Sequence, residues 1–189
     1  MEICVRDLRK SYGGMPVLTG VTFVIRTGIA CVMAPSGAGK TTLLRILLGL
    51  ETADSGTVSG GTGCRWAAVF QEDRLLEHLD AIENLRFILG ADMNEAQAWA
   101  LLEELGLGDV GGKLVRDFSG GMKRRLSLIR ALLAPSDALA LDEPFSGLDE
   151  ENRMRAIACV RRAGMEKPVL LVTHDEADAA ELNARIIGL

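Results

Sequence analysis

Residues 29–50 constrain the fold more than any other stretch of the chain. Residues 29–34 form a short unbroken apolar run, the pattern of a strand buried on both faces. The run passes directly into Ala34-Pro35-Ser36-Gly37-Ala38-Gly39-Lys40-Thr41-Thr42. Residues 39–50 then place Leu43, Leu47 and Leu50 on one side, with Leu44 and Leu48 beside them, which predicts a helix. A buried strand, a glycine-rich turn and a helix in immediate succession make one unit of an α/β fold with a mostly parallel sheet.

The remaining sequence extends that alternation. Residues 3–8 and 21–25 predict strands, the second with Val21, Phe23 and Ile25 on one apolar face. Gly13-Gly14 and Thr27-Gly28 predict turns, and the glycine- and serine-rich residues 54–63 a hairpin or loop. Residues 66–70 predict another strand. The pattern then becomes helical. Asp80 and Glu83 form a capping box ahead of Ile82, Leu85, Ile88 and Leu89. Asn94 caps a second helix that Gly106 ends, and Ser119 caps a third over 122–134. Strands at 138–141, 169–173 and 185–189 alternate with helices at 150–163, stopped by Gly164, and 175–182. The middle third is thus a helical insert in an α/β core.

Composition excludes several classes. With 189 residues, 48% apolar and 25% charged, the chain suffices for one globular domain. A net charge of −5 argues against nucleic acid as a partner. Cys4, Cys31, Cys64 and Cys159 have no metal-ligand spacing. Cys4, Cys31 and Cys159 lie in apolar segments and are expected to be buried thiols in a reducing cytosol. Arg6, Asp7, Arg9 and Lys10 come too early for a signal peptide. No run approaches the ~20 apolar residues that span a bilayer. A role at a membrane would therefore require docking onto another subunit.

The glycine-rich turn has the residues and the context of a phosphate-binding P-loop. Its glycines let several backbone N–H groups face one point, and the helix N-terminus adds its positive dipole end there. Lys40 is expected to reach the β- and γ-phosphates of ATP, and Thr41 to place a hydroxyl on Mg²⁺. Ala34 stands where a first glycine is usual, a place alanine can fill at negative φ. Such a loop needs an acidic partner, and Asp142-Glu143 supplies it at the end of a buried strand. Asp142 is expected to hold Mg²⁺ and Glu143 to polarise the attacking water. Phe118-Ser119-Gly120-Gly121-Met122 reads either as a capped helix start or as a second anion site. Arg124 and Arg125 read as a solvated helix face.

With these elements in this order, the sequence resembles the ATP-binding-cassette ATPases from residue 3 to about residue 189. Ser119-Gly120-Gly121 is similar to the family's signature motif, and Gln71 after Val69-Phe70 to its Q-loop. Ser146-Gly147-Leu148-Asp149 is similar to the D-loop, His174 after Val172-Thr173 to the switch histidine, and Tyr12 to the aromatic that stacks on adenine. Met122 replaces the glutamine usual in the signature. The resemblance implies a P-loop NTPase core with a mostly parallel sheet, an N-terminal antiparallel β subdomain and a helical insert. Residues 1–189 would form one domain, with 1–71 and 135–189 as β subdomain plus core and 72–134 as helical subdomain.

It further implies a head-to-tail dimer, of two copies or of paired subunits. Ser119, Gly120 and Gly121 of one chain would close on ATP held by the other, Asp149 would lie at the interface, and Gln71 would sense the γ-phosphate and contribute to the metal. Residues 69–76 look like the Q-loop region of importers of nitrate, sulfonates and taurine. That implies a cytoplasmic subunit on the inner face of the membrane, with permease subunits and an extracytoplasmic solute-binding protein as partners and a small anion as cargo. A soluble non-transport cassette ATPase, or a weakly active ATP-dependent assembly module, are the alternatives.

Overall fold

The computed structural model describes residues 1–35, 37–60, 63–90 and 93–189. The long strands β1 (Ile3–Tyr12) and β2 (Met15–Ile25) form an antiparallel hairpin whose turn residues, Gly13 and Gly14, both have positive φ. Both strands run further than their apolar pattern. Arg9, Lys10 and Ser11 keep the backbone ladder while no longer offering a buried face. The glycine-serine stretch contains β4 (Ser55–Ser59), which pairs with the other side of β1 to give the order β2-β1-β4. Gly56 sits at φ +90°, where an added Cβ would meet Asp7 O at 2.4 Å.

Five parallel strands form the second sheet. They are β3 (Gly28–Met33), β5 (Trp66–Val69), β6 (Ala138–Asp142), β7 (Pro168–Val172) and β8 (Arg185–Gly188), in the order β5-β6-β7-β3-β8. Every residue of β6 and β7 is buried, which is why both read as continuous apolar runs. Their side chains alternate between two cores. Ala138, Ala140, Leu170 and Val172 join Ala30 and Val32 against α1 (Lys40–Leu47) and the antiparallel sheet. Leu139, Leu141, Val169 and Leu171 join Cys31 on the other face. There they meet α4 (Gly120–Leu133) and α5 (Glu150–Glu166), with α2 (Ala81–Leu89), α3 (Glu95–Glu104) and α6 (Glu176–Glu181) contributing to the same core.

The helix ends follow their caps. Asp80 and Glu83 make the reciprocal capping box on α2, and Asn94 accepts from Gln97 N on α3. Gly49, at φ +70°, ends α1 earlier than its leucine pattern suggests. Gly49 N donates to Ile46 O and Leu50 N to Arg45 O, which satisfies carbonyls of the last turn.

Three expectations are corrected. Gly164 does not stop α5, which continues to Glu166; it is the point where the helix meets β3, and a Cβ there would lie 2.6 Å from Ile29 Cγ1. Cys4 is only half-buried, because β1 lies in the outer antiparallel sheet, whereas Cys31 and Cys159 are buried as expected. Burial pushes the Cys31 thiol up to about 11 and the Cys159 thiol up to about 12. Arg124 and Arg125 are not a solvated face, being only 5% and 8% exposed. Arg124 donates to Phe70 O and Asp73 Oδ1. Arg125 donates to Leu105 O, Gly106 O and Asn152 Oδ1.

Gly164→Ala tests the contact between α5 and β3. Alanine gains about 1 kcal/mol in a helix interior, but overpacking against Ile29 outweighs it, and a net loss of about 1–2 kcal/mol is expected in urea unfolding. Unchanged or increased stability would contradict the close approach.

Candidate functional site

Parallel register brings the candidate residues together. Val172 of β7 stands opposite Val32 of β3 on one side and Asp142 of β6 on the other, while Leu141 of β6 stands opposite Val69 of β5. All four strands therefore end at nearly one level, and the segments leaving them rim a single crevice at the carboxyl edge of the sheet. A cavity of about 940 Å³ lies there. Gly37, Gly39, Lys40, Thr41 and Thr42 line it from one side, and Gln71, Asp142, Glu143 and His174 from the other. Tyr12, at the end of β1, lines its mouth, with its ring 5.3 Å from Lys10 Nζ. Ala34, Pro35 and Ala38 belong to the same loop but do not line the cavity; Ser36 lies outside the described residues.

The loop is built for close approach. Gly39 is the N-cap of α1 at φ +92°, and a Cβ there would stand 2.9 Å from Val17 O. Gly37 also has positive φ, whereas Ala34 does not, so the missing first glycine leaves no strain. The Lys40 ammonium donates to Ala34 O at 2.5 Å and Pro35 O at 3.0 Å. No acid occupies the first turn of α1 to compete with an anion for its free N–H groups.

Across the cavity, burial raises the Asp142 carboxyl above its ordinary value, with the Glu143 charge adding to the effect. Arg124, Lys40 and the Thr41 hydroxyl oppose it. Thr41 and Asp142 thus form a pair of hard oxygen donors suited to Mg²⁺, an ion that takes few protein ligands and completes its shell with phosphate oxygens and water. Among the described residues no group of three His, Cys, Asp or Glu is arranged to hold a metal. Glu143 holds φ +49°, unusual for a residue with a side chain, and its N–H donates to Val172 O at 2.8 Å. Its Oε1 lies 2.8 Å from His174 Nδ1, close enough to accept an Nδ1–H. That hydrogen bond, then the Glu143 charge, raises the imidazole above the ordinary histidine value.

Ser119, Gly120, Gly121 and Asp149 do not reach this cavity. They line a second one of about 530 Å³, and Gln71, Arg124 and Ser146 line both. Of the two readings of the Ser119 segment, the structure shows the capped helix start. Ser119 Oγ accepts from Met122 N at 3.3 Å as a cap, and the same glycine-rich start faces the second cavity with no acid in its first turn. Met122 lines neither cavity and packs, partly buried, against the helical core. Asp149 caps α5 by accepting from Asn152 N at 2.9 Å. Asn152 in turn accepts from Arg125 Nη1 at 2.7 Å, tying the two helix starts together.

Sequence reasoning missed Val17 and Arg124 as lining residues. Val17 belongs to the part of β2 beyond its apolar alternation. Arg124 looks in sequence like any other charge on a helix, because its acceptors, Phe70 O, Asp73 and Asp142 O, come from other parts of the chain. The raised His174 value gives a direct test. An NMR titration of His174 is expected to have its midpoint above the ordinary ~6.5, and Glu143→Gln should move it back down. An unshifted midpoint in the unaltered chain would contradict the pairing.

Comparison with known proteins agrees with this geometry. A family model described as "ABC transporter" matches residues 18–146. An aliphatic sulfonates import ATP-binding protein, SsuB 1, from Agrobacterium fabrum is 40% identical over 96% of this chain and 68% of its own length. The SsuB protein of Corynebacterium glutamicum is 40% identical over 98% of this chain and 79% of its own. A solved ATP-binding subunit of an ABC transporter superposes with a TM-score of 0.86 at 27% identity, covering 96% of this chain and 83% of the other. An ABC transporter ATP-binding protein from Pyrococcus furiosus has the same fold, with a TM-score of 0.88 at 22% identity over 100% of this chain and 98% of the other. A P-loop at the carboxyl edge of a parallel sheet, an acidic pair facing it and these matches over most of the chain place it in the ABC transporter family, as an ATP-binding subunit with ATPase activity.

Proposed function

We propose that the chain is the ATP-hydrolysing subunit of an importer for a small anionic solute of the sulfonate kind. Separate membrane subunits would form the pathway. The observation that carries this reading is the pair of adjoining cavities. One holds the P-loop with Asp142, Glu143 and His174; the other holds the Ser119-Gly120-Gly121 helix start; Gln71, Arg124 and Ser146 stand between them. The sulfonate class rests on the relatives from A. fabrum and C. glutamicum, which are aliphatic sulfonates import ATP-binding proteins. No helix of the described residues is long and apolar enough to cross a membrane. The chain would therefore act at the inner face of the membrane, bound to permease subunits and supplied by an extracytoplasmic solute-binding protein. Residues 72–134 would form the helical subdomain, with 1–71 and 135–189 forming the core and β subdomain.

The chemistry follows from positions. The backbone N–H groups of the loop and the α1 N-terminus cradle the phosphates, Lys40 neutralises the β- and γ-phosphates, and Tyr12 stacks on the base. Thr41 and Asp142, with Gln71 nearby, would hold Mg²⁺, which when bound screens phosphate charge and orients the γ-phosphate. Glu143 accepts a proton from the attacking water while His174 holds its carboxylate in place. Each helix start covers only one side of a triphosphate. Two copies arranged head to tail would bring Ser119 and Gly121 of one chain onto the γ-phosphate held by the other, with Asp149 at the seam. ATP would then act as part of the interface until it is cleaved.

Glu143→Gln is expected to lower kcat about 100-fold or more while ATP binding persists and light scattering detects an ATP-dependent dimer. Near-normal turnover would remove Glu143 from the role of base. Lys40→Ala should weaken ATP binding by at least about tenfold, in keeping with a lost charge-assisted phosphate contact; an unchanged titration would contradict the placement of the phosphates.

A further inference from the structure

The Glu143–His174 pair is attached to a buried polar chain that leads away from the cavity. Thr173, 0% exposed, directly follows β7. Its hydroxyl lies 3.3 Å from Glu143 Oε2 and 3.2 Å from Asp178 Oδ2, and it accepts the N–H of Asp175 at 3.1 Å. A hydroxyl has one proton, so it can serve only one of the two carboxylates at a time. The Asp178 side chain, 7% exposed on α6, turns its other oxygen to Arg153 of α5. Arg153 Nε donates to Asp178 Oδ1 at 2.8 Å; its buried Nη2 stands 2.6 Å from the same oxygen and finds no well-aligned acceptor among the described residues. Arg153 N in turn donates to Asp149 O at 2.8 Å in the first turn of α5, beside the second cavity.

A buried ion pair is weak evidence for stability, since apolar side chains of similar size often serve as well. This one ends two hydrogen bonds from the group expected to take the water's proton. With His174 on Oε1 and Thr173 beside Oε2, each oxygen of Glu143 keeps a lone pair free to accept a proton. A Thr173 proton directed to Glu143 fixes the carboxylate from its second oxygen, and one directed to Asp178 releases it. Asp178, whose carboxyl burial raises above its ordinary value while Arg153 opposes the rise, competes for that proton.

We propose that Thr173 and Asp178 are positioning residues for the Glu143–His174 pair, and that Arg153 anchors them to the helix that starts at Asp149. The proposal rests on the ATPase reading above. It gives the first turn of α5 a route of side-chain contacts to the general base within one chain.

Thr173→Val keeps shape and burial and removes the hydroxyl. Its ATPase kcat is expected to fall about tenfold with KM for ATP nearly unchanged, the pattern of an interaction made only in the transition state. Thr173→Ser should restore most of the rate. In a Glu143→Gln background, Thr173→Val should have little further effect on the residual rate, because both changes act through one carboxylate. A normal kcat in Thr173→Val, or equal losses with and without Glu143, would overturn the proposal. If the unaltered chain shows no ATPase activity, the proposed function fails, and the positioning role is read from the His174 titration instead. Glu143, Asp175 and Lys40 face that imidazole. Thr173→Val must lower its midpoint if Thr173 holds Glu143 in place, and an unmoved midpoint would overturn the role independently of turnover.

Discussion

The common level at which β3, β5, β6 and β7 end is the constraint on which the rest of the molecule depends. Parallel ladders fix it, because sliding one strand by a single residue would turn each side chain to the opposite core. Leu139 and Leu141 would then face the small alternate positions filled by Ala138 and Ala140. Packing on both faces of β6 and β7 therefore sets where Asp142, Glu143, Thr173 and His174 emerge. The Glu143 N–H continues the ladder one step past β6, onto Val172 O, and this bond holds the residue at positive φ. The strained carboxylate is thus a product of the same register that builds the core.

The helical half is joined to that edge by buried guanidinium groups. Arg124 links α4 to the segment after β5 through Phe70 O and Asp73, and reaches Asp142 O at 3.4 Å. Arg130 donates to Asp73 O and Arg74 O on the same segment. Arg125 donates to the carbonyls that close α3. These carbonyls lie where chain segments end and no ladder neighbour is available, and a fork of donors can satisfy several of them from one side chain. Burial lowers Arg125 and Arg130 from the ordinary arginine value, but that value is high enough that both remain cations. Gln71 therefore sits between two arginine-tied residues, Phe70 and Asp73, rather than on an isolated loop.

How much of this was legible follows from which interactions leave a local trace. The alternation of strand and helix, the caps at Asp80, Asn94 and Ser119, and the glycine-rich turn that opens α1 are all written within a few residues, and each is found where periodicity and turn chemistry place it. The burial of Arg124 and Arg125 is not written locally, because a solvated and a buried arginine have the same spacing on a helix and differ only in acceptors brought from elsewhere. Gly164 misleads for a related reason. In sequence a glycine near a helix end reads as a stop, and only the approach of Ile29 explains why it lies inside one. Thr173 and Asp178 looked like a strand end and a helix start; their partnership with Arg153 depends on the packing of α6 against α5.

The charges at helix starts connect the two cavities. Four of the six α-helices among the described residues, α2, α3, α5 and α6, carry an acidic residue in the first turn, where it complements the positive end of the dipole. The two that do not, α1 and α4, are those whose glycine-rich starts face the cavities. Leaving out the acid forgoes a small local stabilisation in each helix, and it keeps the N–H groups available to an anion. A chain selected only to fold would have no reason to omit it at these two places. The same omission at both makes α4 electrostatically the counterpart of α1, which supports the proposed grip on a triphosphate from two sides, and the Ser119 cap leaves that helix start open to the second cavity.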